Sequence, residues 1–328
     1  MNKVLVTGAN GFLGANLTRE LYRRGYDVKV MVRPSANLKG IEDIPCEIFY
    51  GRIDKEDDVK EAVSGCSIVI HAACITAQWD ITFEAYERVN FFATKYIADA
   101  CLEQKVSRLI FVSTANTIGP GSKSNPGTEL NGFTLFHANS GYINSKYLAQ
   151  QYILEQVVAR NLPAIVVNPT FMIGPRDTAP SSGKLILYGL KKKLLFYPPG
   201  GKNFVHIQDV CAGIINAIEK GRTGDCYLLA GQNLSYREFF TLLNKVSKES
   251  KIMVRIPAFV LKLAGIMASM FHRLTSTSGK LNFTSAYLLC LDNYYTGKKS
   301  ERELTVRYTP IEEAVGAALG WFEENGYF

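Results

Sequence analysis

The stretch Gly8-Ala9-Asn10-Gly11-Phe12-Leu13-Gly14 constrains the fold more than any other part of the chain. It follows a short apolar run, Val4-Leu5-Val6, of the kind that forms a buried strand. After it, Phe12, Leu13, Leu17, Leu21 and Tyr22 fall on one helical face, and Gly25 supplies a stop. The spacing predicts a strand over 3–6, a tight turn, a helix over 12–24 and a second strand over 27–32. A helix N-terminus carries unpaired N–H groups and the positive end of the helix dipole. Glycines there let an anion approach the main chain and let the helix sit close to the strand. A unit built this way holds the pyrophosphate of a dinucleotide; an ordinary strand–helix turn is the alternative.

The alternation continues. Strands are expected over 47–50, 67–71, 108–113 and 164–168, and helices over 57–64, 88–104 and 141–161. Alternating segments predict an α/β fold, a doubly wound parallel sheet covered on both faces, with ligands at the C-terminal ends of the strands. Beyond Pro169, Gly174-Pro175, Pro180-Ser181-Ser182-Gly183 and Pro198-Pro199-Gly200-Gly201 interrupt the pattern. A helix over 209–220 and a strand over 226–229 return to the sheet, and the rest reads as mainly helical. The expected division is a dinucleotide domain of 1–168 with 204–231, and a smaller, mostly helical substrate domain of 169–203 with 232–328. Ser235-x-x-Glu238 and Thr309-Pro310-Ile311-Glu312 read as capping boxes, the second with Pro310 at the first helical position. Asp209 is expected to cap the helix that follows it, and His206 to be a satisfied buried histidine.

At 47% apolar and 20% charged residues, the chain of 328 residues has the composition of a globular protein with a sizeable core. Seven cysteines without a C-x-x-C pair suggest reduced thiols, with neither a disulfide framework nor a zinc site, hence a cytoplasmic protein. A strand at residue 3 leaves no room for a signal peptide. The apolar segment 256–271 is interrupted by Lys262 and too short to span a bilayer, so it reads as a buried or interfacial helix, with a membrane-surface role as the alternative. The net charge is +7, with clusters at Lys191-Lys192-Lys193 and at Lys298-Lys299 with Arg302. These read as solvated surface or as attraction for an anionic ligand such as a nucleotide or a lipid headgroup. No aromatics alternate with the basic residues as a nucleic-acid platform would need.

The chemistry points to SGYINSKYLAQQ. Tyr142 and Lys146 are four apart in a helical stretch, one turn apart on one face. A neighbouring ammonium is expected to lower the phenol's pKa and so make it usable for proton transfer near neutral pH.

These motifs together resemble an extended short-chain dehydrogenase/reductase of the NAD-dependent epimerase/dehydratase superfamily, over nearly the whole chain. Within it, the likeness is nearest to dihydroflavonol-reductase-like and hopanoid-associated sugar-epimerase-like proteins. TGANGFLG is similar to the family's phosphate turn, HAAC at 71–74 to its fourth-strand motif, and RVNFFAT to its V-N-x-x-G-T helix, with Asn90 in place. FVSTANTIG resembles its catalytic-hydroxyl strand, and NPTFMIGPRD and NFVHIQDV its later signatures. The resemblance implies Tyr142 as acid–base residue, Lys146 as its support, and Thr114 where the family has serine. Ser113, one residue earlier, would point to the opposite face. It implies cofactor contacts from Gly8, Asn10, Gly11, Phe12, Leu13, Gly14, Arg33, Ile53, Ala72, Ala73, Tyr142, Lys146 and Pro169, and substrate contacts from Gln78, Trp79 and His137. No metal is implied. The family's acidic residue at the end of the second strand is absent: Val32 and Arg33 stand there, which favours NADP(H), with NAD as the alternative. Gly51-Arg52-Ile53 lacks the carboxylate that would meet the adenine. Asn168 and Phe171 replace residues that nucleotide-sugar enzymes use. The implied activity is reversible hydride transfer to a ketone or from a secondary alcohol. The rivals are a nucleotide-sugar epimerase or dehydratase, and a non-catalytic dinucleotide-binding sensor. The family also implies a homodimer.

Overall fold

The computed structural model describes residues 3–77, 81–275, 279 and 282–328, the side chains of 272–274 excepted. In chain order, β1 (Lys3–Thr7), α1 (Phe12–Arg23), β2 (Asp27–Val32), β3 (Glu47–Tyr50), α2 (Glu56–Val63) and β4 (Ile68–His71) open the fold. Next come α3 (Phe83–Tyr86), a π-helical stretch (Glu87–Phe92), α4 (Ala93–Glu103), β5 (Arg108–Val112), α5 (Gly141–Arg160) and β6 (Ala164–Pro169). The second half holds β7 (Phe171–Ile173), α6 (Lys184–Gly189), β8 (Leu194–Tyr197), β9 (Gly201–His206), α7 (Ile207–Lys220), β10 (Cys226–Leu229) and β11 (Gln232–Ser235). It closes with α8 (Tyr236–Ser247), β12 (Ile252–Arg255), α9 (Ala258–Thr275), α10 (Phe283–Leu289), β13 (Asp292–Asn293), α11 (Lys298–Leu304) and α12 (Ile311–Glu324).

Seven of these strands form one parallel sheet in the order β10-β6-β5-β4-β1-β2-β3. Successive side chains of a strand point to opposite faces, and both faces here are apolar. Val4, Val6, Val30, Ile70, Ile110 and Val167 join the core under α1 and α7. Leu5, Met31, Val69, Leu109, Phe111 and Val166 join the core under α2, α4 and α5. The doubly wound arrangement follows from strands that have no polar face to give to water.

The remaining elements form a smaller unit around a third core, in which α6, α8 and α12 pack on β7, β8 and β9. This unit is less purely helical than the sequence reading: it has a four-stranded sheet (β11-β9-β13, with β7 on β9) and the pair β12-β8. Residues 204–206 belong to that second sheet.

Three local expectations are corrected. His206, half-buried, caps α7 by accepting from Gln208 N–H at 3.0 Å, and Asp209 lies inside the helix. The buried Asp209 carboxylate accepts from the Thr309 N–H (2.7 Å) and hydroxyl (2.9 Å). Because Asp209 holds Thr309, that residue makes no capping box, and α12 starts behind Pro310 as its N-cap. The helix expected from residue 88 starts at Phe83, and its π-helical stretch contains Asn90. The capping box at Ser235 and Glu238 forms as read.

Candidate active site

At the turn after β1, Gly8 has φ +71, and a Cβ on it would stand 2.7 Å from the Ala73 Cα. Both its backbone conformation and its space require glycine. A Cβ on Gly14 would lie 2.1 Å from the Gly8 carbonyl oxygen, so α1 can rest on the turn only because Gly14 is bare. Gly11 donates to the Gly8 carbonyl at 3.0 Å and caps α1 with no side-chain partner. The first N–H groups of the helix, at Phe12 and Leu13, therefore face the turn as anion donors, with the half-buried Asn10 beside them. This cradle, which an added Cβ would fill, fits a dinucleotide pyrophosphate.

Ala72 and Ala73 are brought against the turn by a one-directional chain of hydrogen bonds. The Ala73 N–H donates to the Thr7 hydroxyl (3.2 Å), which pairs with His71 Nδ1 at 2.8 Å. His71 Nε2 meets the Thr94 hydroxyl at 3.2 Å, and Thr94 donates to the Asn90 carbonyl at 2.8 Å. Thr94 has no second proton to give, so the chain assigns the proton to Nε2 of a neutral ring. Burial, and then the Lys146 charge, push the His71 pKa down to about 3.

Thr114 follows β5, Tyr142 stands in the first turn of α5, and Lys146 lies one turn on. Lys146 is buried, and its Nζ donates to the Val112 carbonyl at 2.7 Å while resting over the Phe111 ring at 4.2 Å. Burial lowers its pKa to about 8. The Tyr142 phenol is pushed above its ordinary pKa, first by burial and then by Cys74; the neighbouring Thr114 hydroxyl acts in the opposite direction. Desolvation dominates, and the ammonium's hydrogen bond goes to Val112. Ser113 Oγ is buried without a partner among the described residues.

Two buried asparagines hold these groups in place. Asn168 Nδ2 donates to the Thr114 carbonyl (3.1 Å), to Thr117 Oγ1 (3.0 Å) and to Gln150 Oε1 (2.8 Å), tying β6, the turn after β5 and α5 together. Asn90 brackets Ile75, accepting from its N–H at 2.7 Å and donating to its carbonyl at 3.1 Å. It also donates to Ser145 Oγ at 3.0 Å, and Ser145 in turn donates to the Tyr142 carbonyl at 3.0 Å. A π-helical turn places a side chain off the usual helical register, as here, and often does so at functional sites. Sequence reasoning missed Thr117, Ser145 and Gln150 because their partners are remote in the chain.

The other expected contacts are placed as follows. Arg33 is exposed at the end of β2, with no ion pair among the described residues, and Ser35 and Lys39 are exposed in the loop after it. Ile53 is half-buried against the core. Near it, Arg52 pairs with Asp54, and the Asp58 carboxylate is engaged by the Arg52 N–H at 2.7 Å. Pro169 is buried at the end of β6, in register with Leu229. His137 is exposed on a 3₁₀ turn (Leu135–Ala138), edge-on to Phe136, and is not drawn into the Thr114–Tyr142–Lys146 group. Gln78 and Trp79 lie outside the described residues. Lys202, which sequence reasoning passed over, is half-buried over the Phe171 ring at 5.3 Å, and burial lowers its pKa to about 8.

A doubly wound parallel sheet with a glycine turn at one strand end and a tyrosine–lysine helix beside it is the frame of an NAD(P)-dependent oxidoreductase. The model of the NAD dependent epimerase/dehydratase family matches residues 4–230, and the chain belongs to that family. It is an NAD(P)-dependent enzyme of the reductase and dehydrogenase kind. A putative dihydroflavonol 4-reductase of Synechocystis sp. is 27% identical over 98% of this chain and 95% of its own. Sterol demethylase protein B of Methylococcus capsulatus is 26% identical over 98% of both chains. The crystal structure of gox2253 superposes with a TM-score of 0.89 at 28% identity, covering 99% of each chain.

Proposed function

We propose that the protein is an NADP(H)-dependent oxidoreductase that transfers hydride reversibly between the nicotinamide and a ketone or secondary alcohol. The observation that carries this reading is the proximity of Thr114 to Tyr142 at the edge of the sheet, one helical turn from buried Lys146. The bound nicotinamide supplies or accepts the hydride. Tyr142 Oη gives or takes the proton of the substrate oxygen, and Thr114 Oγ1 holds that oxygen. Lys146 holds the ribose and keeps positive charge near the phenol. Gly8, Asn10, Gly11, Phe12, Leu13 and Gly14 bind the pyrophosphate, and Ile53, Ala72, Ala73 and Pro169 line the cofactor. Arg33 binds the 2′-phosphate. Gln78, Trp79 and His137 contact the substrate.

The substrate is a carbonyl on a largely apolar, polycyclic skeleton. The names of the two relatives, a dihydroflavonol reductase and a sterol demethylase protein, support that class. So do Asn168, whose Nδ2 is committed to the chain's own groups, and Phe171, which offers no polar atom to a nucleotide diphosphate. The protein works in the cytoplasm. It pairs as a homodimer through the helices that carry exposed Phe92 and Leu148. Purified protein should oxidise NADPH in the presence of dihydroflavonol or 3-ketosteroid substrates. Cofactor retained through purification, together with epimerisation of a nucleotide sugar, would overturn the reading.

A further inference from the structure

Helix α9 turns apolar side chains to solvent from Phe259 to Met270. Phe259 is 72% exposed, Leu263 55%, Met267 63% and Met270 61%, and Ile266 is exposed with them. Steps of three and four place these side chains on one helical face. The opposite face is occupied: Leu261 is buried, and Gly265 packs on α10 so tightly that a Cβ would lie 2.6 Å from the Ala286 Cβ. The pair β8/β12, which leads into α9 through Pro257, is built the same way. Leu194 is in register with Ile252 and Phe196 with Val254, and all four are exposed. Single exposed apolar side chains are ordinary, but a run over a helix and the adjoining strand pair marks a contact surface.

The charge around this face is mostly positive, with Glu249 at its edge taken up by Lys251 and the Lys191 N–H. Between Glu249 and Asp292 the sequence holds no acidic residue, and Arg255 and Lys262 lie on β12 and α9. Lys191, Lys192 and Lys193 are exposed directly before β8, and the Lys193 carbonyl accepts from the Ile252 N–H at 3.0 Å. A second copy of the chain seated on this face by two-fold symmetry would set cations against cations. An anionic surface is complementary. Among the described residues no helix is long and apolar enough to cross a membrane, so the helix would lie on a bilayer, not span it.

We propose that α9 and the outer face of β8/β12 rest on an anionic phospholipid bilayer, with the apolar side chains at the boundary of headgroups and acyl chains and the lysines on the lipid phosphates. The face adjoins the candidate active site. Thr284 of α10 donates to the Ala138 carbonyl at 2.9 Å, on the turn just before Ser140, which caps the helix of Tyr142. A lipophilic substrate would pass from lipid to the site without crossing bulk water.

Flotation of the full chain with phosphatidylcholine vesicles, with and without phosphatidylglycerol, tests this. The protein should float with the anionic vesicles and be released by high salt. Lys192→Gln and Lys193→Gln should each weaken binding roughly fivefold, the effect of one cation near an anionic surface. Leu263→Glu combined with Met267→Glu should abolish flotation while far-UV circular dichroism and NADPH binding stay unchanged. Absence of flotation with anionic vesicles, or flotation unchanged in the double variant, overturns the proposal. So does a stable dimer that the double variant dissociates, since a second copy would then own the face.

Discussion

Lys146 donates to the carbonyl oxygen of Val112, the last residue of β5 and two residues before Thr114, at 2.7 Å. The helix of Tyr142 is thus fastened by a buried contact to the end of β5, where the turn that carries the candidate hydroxyl begins.

On that geometry, Tyr142→Phe removes the proton donor and leaves the fastening intact. Turnover should fall by roughly 10²–10⁴, the usual contribution of a positioned acid–base group. The NADPH dissociation constant should stay within a few-fold of wild type. Lys146→Met should damage both quantities. Steady-state kinetics and fluorescence titration of NADPH measure the two effects; near-native turnover of Tyr142→Phe would remove the phenol from the mechanism.

Thr114→Ser should keep activity, and Thr114→Val should lose about 2.7–4 kcal/mol of transition-state stabilisation, the cost of deleting one oxyanion-type donor. Valine keeps the shape and deletes only the hydroxyl. Ser113→Ala should change kcat little, because its hydroxyl has no partner to lose. If instead Ser113→Ala is the inactive variant, the roles of the two hydroxyls are exchanged.

Arg33→Ala should raise the Kd for NADPH and leave that for NADH nearly unchanged. The guanidinium is exposed and without an ion pair among the described residues, so it is available to a 2′-phosphate. Parallel titrations with both cofactors decide this, and an unchanged preference in Arg33→Ala would defeat it.

His71 gives a pH dependence with a definite sign. Its folded pKa of about 3 lies below the ordinary 6.5, so the unfolded chain binds a proton that the fold does not accept. Stability from this residue is present above pH 6.5 and is lost as pH falls toward 3. Between pH 7 and pH 5 the loss should be about 2 kcal/mol. Urea unfolding at the two pH values should show it, and His71→Gln, less stable at neutral pH, should have a flatter slope. A variant with the wild-type slope would place the titration elsewhere.

The seven strands of the parallel sheet were legible in the sequence because each is a short apolar run set between turn residues, and β2, β3 and β10 lie where the pattern puts them. The glycine turn was legible for the same local reason. What escaped depends on long-range contact. Asp209 looks like a cap in sequence, yet its carboxylate serves Thr309, a hundred residues away. Helical spacing reports that Tyr142 and Lys146 share a face but not that burial acts on both. The segment 256–271 was read as a buried or interfacial helix from its hydropathy; hydropathy alone does not say which side of the helix α10 covers.

The last strand to join the sheet has a consequence for synthesis. β10 pairs with β6, but all of 170–225 is made between them. Until residue 229 leaves the ribosome, β6 presents an open edge, the kind of edge that recruits other chains. The residues that close this edge arrive only after β7 and β9 of the smaller unit have been made. A nascent chain stalled or cut within that interval keeps a complete glycine turn and both Tyr142 and Lys146, yet exposes a sticky strand.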